Sequence, residues 1–295
     1  MPDELTEKAV KAVVFGANGQ DGVYLAELLK MHGVQVFGFS RSNRGDVSDY
    51  ATVERVIRDI RPDFLFHLAA SSTTRHEALF ANHATISTGS LNVLEAVRLH
   101  APECRVFITG SGVQFVNVGN PISERDPFEA TSPYAVARIQ SVYAARYYRT
   151  FGIKAYVGYL FHHESPLRKE SHLCKLIADA VKRIANGADE RIRVRDVSVR
   201  KEAAFAGDVV EGIWTLVNQE AIFESAIGTG VAYSVQDWLD ICFRQIGRDW
   251  RDFVDVGSCD EESEYKILVS DPATIFSLGW KPVVGIEQLA SMMIS

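Results

Sequence analysis

Gly16-Ala-Asn-Gly19-Gln-Asp-Gly22 limits the folds open to this chain more than any other stretch of it. The glycines follow residues 12–15, a β-branched and aromatic run that reads as a buried strand. They lead into residues 21–31, where Val23, Leu25, Leu28 and Leu29 recur at helical spacing. A strand-to-helix turn asks for glycine three times: to turn tightly, to let the backbone approach a ligand, and to let helix and strand pack closely. The helix that follows presents backbone N–H groups and the positive end of its dipole to an anion.

The same alternation continues. Residues 34–39, 64–68, 105–109 and 154–160 read as strands, and 50–60, 76–100 and 132–151 as helices. Residues 64–68 are almost wholly apolar, the pattern of a strand buried on both faces. Strands separated by helical segments imply right-handed crossovers and a parallel sheet covered on both sides. Beyond Phe161 the pattern breaks into helical runs at 173–184, 208–217 and 235–246 around a charged stretch, 189–202. The chain thus reads as α/β: a doubly wound parallel-sheet domain over residues 1–160, to which later segments can return, and a smaller lobe over 161–295.

Composition excludes several classes. With 47% hydrophobic residues in 295, the chain can fill a core. A formal charge of −7 gives no footprint for nucleic acid. Cys104, Cys174, Cys242 and Cys259 are scattered and form neither a disulfide framework nor a zinc spacing. No apolar run approaches the roughly 20 residues that span a bilayer. The first residues lack the apolar stretch of a secretion signal, so a soluble cytoplasmic protein is expected.

The glycine turn makes a dinucleotide the expected ligand, with Gly16, Asn18, Gly19, Gln20, Asp21 and Gly22 around its pyrophosphate. The second strand ends Phe39-Ser40-Arg41-Ser42. An acidic residue there would hold a ribose hydroxyl and repel a 2′-phosphate, whereas Arg41 favours NADP over NAD.

Several stretches together resemble the extended short-chain dehydrogenase/reductase family of the NAD-dependent epimerase/dehydratase type. GANGQDGVYLAELL at residues 16–29, LFHHESP at 160–166 and SPYA at 132–135 are similar to segments of GDP-mannose 4,6-dehydratases. GSLNVLEAV at 89–97 and LGWKP at 278–282 fit the wider nucleotide-sugar branch, and the length is nearer the related 4-keto-6-deoxy-hexose reductases. The resemblance implies a Rossmann-type cofactor domain, a C-terminal lobe for a nucleotide sugar, and a reaction in the cleft between them. It implies adenine beside Asp46 and Val47, a cofactor channel along Leu68, Ala69 and Ala70, and Ser71 on the substrate side. It also implies that Ser111 hydrogen-bonds the reacting sugar oxygen and that Tyr134 is the acid/base.

A tyrosine, with an ordinary pKa near 10, needs a fixed neighbouring cation to serve as a base at neutral pH. Position 138, one helical turn after Tyr134, shares its face. The family has Lys there, and this chain has Arg138, which keeps the charge but changes shape and reach. The second departure concerns the reaction. The dehydratases carry a proton-transferring Glu two positions after their Ser/Thr, where Ser111-Gly112-Val113 has valine. Redox at one sugar carbon needs only the hydroxyl donor, the tyrosine and the nicotinamide.

His162 stands at a family Asn and is expected to hydrogen-bond substrate or scaffold. The adjacent His163 suggests a metal, but no partner shows ligand spacing, so none is expected. Arg168, Lys175 and one or two of Arg191, Arg193, Arg195, Arg200 and Lys201 are candidates for the substrate diphosphate. The family's diphosphate arginine falls on Glu261-Glu262-Ser263-Glu264, where there is none. Three readings stay open: a reductase or epimerase of a 4-keto-6-deoxy NDP-hexose, a dehydratase with a substituted base such as Glu164 or His162, and a cofactor-binding partner protein without turnover. The resemblance also implies a homodimer packed through two helices per subunit, for which 85–100 and 134–150 are the candidates, the second carrying Val142, Tyr143, Ala145, Tyr147 and Tyr148.

Overall fold

The computed structural model describes residues 9–43, 45–71, 73–257 and 265–295. A six-stranded sheet is formed by β1 (Lys11–Phe15), β2 (Gln35–Phe39), β3 (Phe64–His67), β4 (Arg105–Ser111), β5 (Lys154–Leu160) and β6 (Glu224–Ile227). Its order is β6-β5-β4-β3-β1-β2. Strands β1 to β4 pair in parallel, with Val13 opposite both Phe37 and Leu65, and Phe66 opposite Phe107. The fold is therefore the doubly wound α/β architecture expected. β6 is the strand that patterning misses, because Glu224-Ser225-Ala226-Ile227 has only two apolar residues, where the equally short β3 has three large ones.

The intervening helices are α1 (Gln20–Met31), α2 (Tyr50–Ile60), α3 (Gly89–His100) and α4 (Pro133–Arg149). α2 stops where expected: Arg61 adopts φ 48, and Pro62 cannot continue a helix. The expected run 76–100 is not one α-helix. It opens as a 3₁₀ turn, His76–Ala78, passes through Leu79–Asn82 and a π-helical segment, His83–Thr88, and only then becomes α3. Periodicity registers the turns but not the extra residue that a π segment inserts.

The chain forms two compact units. The first comprises residues 1–109 and 132–157, the second 110–131 and 158–295. In the second, α5 (Leu173–Ala185), α6 (Ala206–Val217), α7 (Val235–Gln245) and α8 (Ile286–Ile294) follow. Ile177, Val181, Trp238, Leu239, Phe243 and Leu289 form its core, where α5, α7 and α8 pack. The charged stretch carries the short strands Ile192–Val194 and Arg200–Lys201. Between them and β6 sits Glu202, fully buried, whose carboxylate accepts hydrogen bonds from Ser270 and Thr229. Among the described residues, no helix is long and apolar enough to cross a membrane.

Candidate functional site

In the first unit, Gly16 has φ +92, and a Cβ there would lie 2.7 Å from Ala69 N and 2.8 Å from Leu68 C. A Cβ on Gly22 would lie 2.4 Å from Gly16 O. Backbone blocks both positions, so only glycine fits. Gly19 differs: it is the N-cap of α1 at φ −77, and its Cβ would meet only Gly16 O, at 3.4 Å. The turn is thus closed at its first and third glycines and open at its second. Gly19 has no side chain with which to cap α1, which suits a helix start directed at an anion.

Around this turn, Asn18 Nδ2 donates to Ser40 Oγ at 3.1 Å and Ser42 Oγ at 3.3 Å. Arg41 opens the 3₁₀ turn Arg41–Asn43, is exposed, and has no carboxylate partner among the described residues. Asp46 caps Ser48, and Val47 is buried with its carbonyl held by Asn92. Leu68, Ala69, Ala70 and Ser71 follow β3 as half-buried chain, and Leu68 N extends the pairing to Phe15 O at 2.9 Å.

Tyr134 owes its position to a helix start. Ser132 is the N-cap of α4, its hydroxyl accepts from Ala135 N at 3.2 Å, and Pro133 occupies the first turn. One turn on, Arg138 is buried, with its guanidinium carbon 5.0 Å from the Tyr134 ring centroid. Arg138 Nη1 donates to Thr109 O at 2.6 Å, and Thr109 Oγ1 donates to His67 O at 2.8 Å. The expected pairing of positions 134 and 138 is thus a planar cation on an aromatic face, anchored to the end of β4. Sequence reasoning overlooks His67, an apparent break in an apolar strand. Its ring is buried beside Gly89, and burial, with Arg138's charge, holds it neutral, with its pKa down at about 4.

In the second unit, β4 ends at Ser111, two residues later than expected, and Gly112–Gln114 forms a 3₁₀ turn. Ser111 and Gln114 cap this turn reciprocally, with Ser111 N donating to Gln114 Oε1 at 2.8 Å. The Ser111 hydroxyl accepts from the turn's backbone, and a hydroxyl that accepts one bond keeps its own proton to donate. A Cβ on Gly112 would lie 2.7 Å from the Phe161 ring, so glycine is obligatory there. Val113 is half-buried between them in sequence.

Phe161 leads into a charged group. His162 Nε2 is 2.7 Å from Glu164 Oε1, and Arg168 Nε is 3.5 Å from Glu164 Oε2. Arg168 Nη2 also reaches His172 Nδ1 at 3.1 Å. Burial, then the Lys201 charge, push His162 down to about 3, so it is neutral near pH 7. Burial works against the Glu164 charge, but His162, Arg168 and Lys201 outweigh it and keep the carboxylate ionised. Burial lifts the Cys174 thiol to about 12, Lys201 opposing and Glu164 assisting. Lys175 pairs with Asp179 at 2.6 Å, and the exposed Arg200 donates to Ala232 O. Arg191 is committed to Asp255. Glu261-Glu262-Ser263-Glu264 and Cys259 lie outside the described residues, and the other three cysteines are buried and unbridged.

A family model described as GDP-mannose 4,6 dehydratase matches residues 41–293. The chain belongs to that family. It is a nucleotide-sugar enzyme of the epimerase/dehydratase type. GDP-mannose 4,6 dehydratase 1 of Arabidopsis thaliana is 31% identical, over 96% of this chain and 88% of the relative. Two solved structures share the fold at 21% identity. UDP-glucose 4-epimerase of Thermus thermophilus in complex with NAD superimposes with a TM-score of 0.83, covering 97% of this chain and 98% of that one. RMD from Pseudomonas aeruginosa complexed with NADPH gives 0.82, covering 97% and 96%. Against this family background, two of the expected departures lie in described regions, Val113 in the turn after β4 and Arg138 under the Tyr134 ring. Two site features lay beyond sequence reading. Cys174 stands ten positions after Glu164 at no motif spacing, yet its sulfur lies near the His162–Glu164 pair. His67 gives no signal beyond its polarity.

Proposed function

We propose that the protein is an NADP-dependent nucleotide-sugar oxidoreductase or epimerase that acts on a 4-keto-6-deoxy NDP-hexose by hydride transfer. The observation that carries this reading is Val113. It occupies the turn position where a dehydratase's proton-transferring Glu is expected, and a valine side chain exchanges no proton. Loss of water from a sugar needs that second acid/base group, whereas interconversion of hydroxyl and ketone does not.

The glycine turn fits a dinucleotide, because Gly19 leaves the backbone open while Gly16 and Gly22 are filled by the protein itself. Arg41, Ser40, Ser42 and Asn18 supply a cation and a polar group suited to a 2′-phosphate, and Asp46 and Val47 border the adenine. Leu68, Ala69, Ala70 and Ser71 line the way towards the reacting end. When bound, the nicotinamide supplies or takes up the hydride. Tyr134 passes the proton of the sugar hydroxyl, Ser111 polarises that oxygen through its own proton, and Arg138 holds positive charge against the tyrosine. Of the cations expected at the diphosphate, Arg168 and Lys175 already face Glu164 and Asp179. Arg200 is exposed and has no carboxylate partner among the described residues, and we assign it that role, with Gly112 and His162 bordering the sugar.

A dehydratase that recruits another base is favoured by the names of the relatives. It would draw on Glu164 or His162, but these two are bonded to each other and buried among further charges, which suits holding a shape more than shuttling a proton. We also read the exposed Tyr143, Tyr147 and Phe151, with Leu91 and Leu99 of α3, as the face of a homodimer.

The deciding experiment incubates the protein with 4-deuterated NADPH and a panel of 4-keto-6-deoxy and parent sugar nucleotides, with mass detection. Deuterium in the sugar supports reduction, and turnover without net cofactor use supports epimerisation. Loss of one water from a parent sugar nucleotide would establish the dehydratase reading. Tight NADPH binding with no chemistry on any substrate would overturn the enzyme assignment.

A further inference from the structure

We infer that His162, Glu164 and Cys174 form a binding site for a divalent metal ion of the zinc type. Candidate ligand atoms of the three residues lie within 4.8 Å of one another. They come from two elements that the fold fixes independently. His162 and Glu164 are two apart in extended chain and therefore project to the same side, and Cys174 sits in the first turn of α5. Glu164 is fully buried, with Oε1 on His162 and no hydrogen bond on Oε2. Arg168 Nε faces that oxygen at 3.5 Å, an ion pair too long for a hydrogen bond, so an acceptor site on Oε2 is still open.

The donor set is chemically coherent. Imidazole nitrogen, carboxylate oxygen and thiolate are the ligand types of tetrahedral zinc, and three protein ligands leave a fourth position for water. Zinc bond lengths near 2.0–2.3 Å at tetrahedral angles imply separations between ligand atoms of roughly 3.3–3.6 Å. His162 and Glu164, now 2.7 Å apart, would open by about half an ångström, while the sulfur would close in by about an ångström. Bonds to His162, Glu164 and Cys174 form as the aqueous ion releases three waters and the Cys174 S–H bond breaks. Its proton leaves to solvent, and no electron is transferred. The thiolate adds one negative charge to that of the carboxylate, and the ion then shares Glu164 with Arg168 and Lys201.

The test uses the full chain, stripped with a chelator and kept reduced by a phosphine. Titration with Co²⁺ is expected to give one equivalent bound per chain, visible d–d bands of tetrahedral cobalt, and a thiolate-to-cobalt charge-transfer band in the near ultraviolet. Zinc should displace the cobalt and remain in stoichiometric amount after desalting, as read by elemental analysis. Cys174→Ser should abolish the charge-transfer band with the circular dichroism unchanged. His162→Asn, at a position partly open to solvent, should retain the fold and weaken zinc binding by more than about tenfold. Absence of the band from folded wild-type protein overturns the proposal. So does a band that survives in Cys174→Ser or, should that variant fail to fold, zinc affinity unchanged in His162→Asn.

Discussion

Gly16→Ala and Gly19→Ala, compared side by side, separate the part of the turn that shapes the fold from the part that meets a ligand. At Gly16 the new methyl would sit 2.7 Å from Ala69 N and 2.8 Å from Leu68 C, against a comfortable contact near 3.4 Å or more. Both neighbours are backbone, so β1 and the chain after β3 must part by about half an ångström or more. Overpacking of this kind costs about 1–3 kcal/mol, and the left-handed φ of +92 adds about 1–2 kcal/mol for an L-residue. A loss of about 2–5 kcal/mol is expected, a Tm lower by roughly 3–8 °C for a chain of this length. At Gly19 the conformation is ordinary and the one contact is 3.4 Å, so Ala costs under about 1 kcal/mol there. That methyl points instead to where a pyrophosphate would lie. NADPH affinity should fall at least about tenfold, about 1.4 kcal/mol. Stability is best followed by far-ultraviolet circular dichroism. Trp214, Trp238, Trp250 and Trp280 all belong to the second unit, so their fluorescence reports on it and not on the glycine turn. Cofactor affinity is read by calorimetry. Unchanged NADPH binding in Gly19→Ala would refute the assignment of the open glycine, and wild-type stability in Gly16→Ala would refute the steric reasoning.

Tyr134→Phe should bind NADPH as the wild type does and lose about 10²–10⁴-fold in turnover, measured by steady-state kinetics with the sugar nucleotide that the deuterium experiment identifies. Acid should destabilise the chain above the range where carboxylates protonate. His67 and His162 are held neutral, with folded values of about 4 and about 3 against an ordinary 6.5, so the unfolded chain binds more protons below pH 6.5. Their stabilisation is complete above that pH and is lost as pH falls towards the folded values, roughly 3 kcal/mol by pH 4 for His67. Urea titrations between pH 7 and 4.5 should show the slope, and His67→Gln should flatten it. Tyr147→Glu on the exposed face of α4 should shift a dimer to a monomer in light scattering with the fold intact, and an unchanged mass would remove the interface assigned to that face.

Much of the fold was legible because its signals are local. Tyr50–Ile60 and Lys154–Leu160 match the expected boundaries to the residue, and α1, α4 and α5 agree within two residues at each end. β6 was missed for its weakly apolar sequence, and the π segment at His83–Thr88 because periodicity reads turns without counting residues within them. In the site, the Tyr134–Arg138 pair follows from helical spacing, but the anchoring of Arg138 on Thr109 O depends on where β4 ends, a tertiary fact. The diphosphate candidates show the same limit. Sequence lists the cations, and helical spacing pairs Lys175 with Asp179, but that Glu164 and Arg168 face each other in chain outside any helix appears only in the fold. Cys174 completes the His162–Glu164 group from outside any motif, and no spacing rule would have found it.

Residues 110–131 belong to the second unit although residues on both sides of them belong to the first. A ribosome making this chain therefore releases residues 110–131 of the second unit before it makes the last 26 residues of the first, 132–157. Neither unit can be excised by a single cut, and two-fragment complementation split at residue 157 would strand that loop on the wrong half. The chain is expected to acquire its native state as one interdependent whole, and a split reporter or domain swap built on it would have to carry residues 110–131 along with the C-terminal piece.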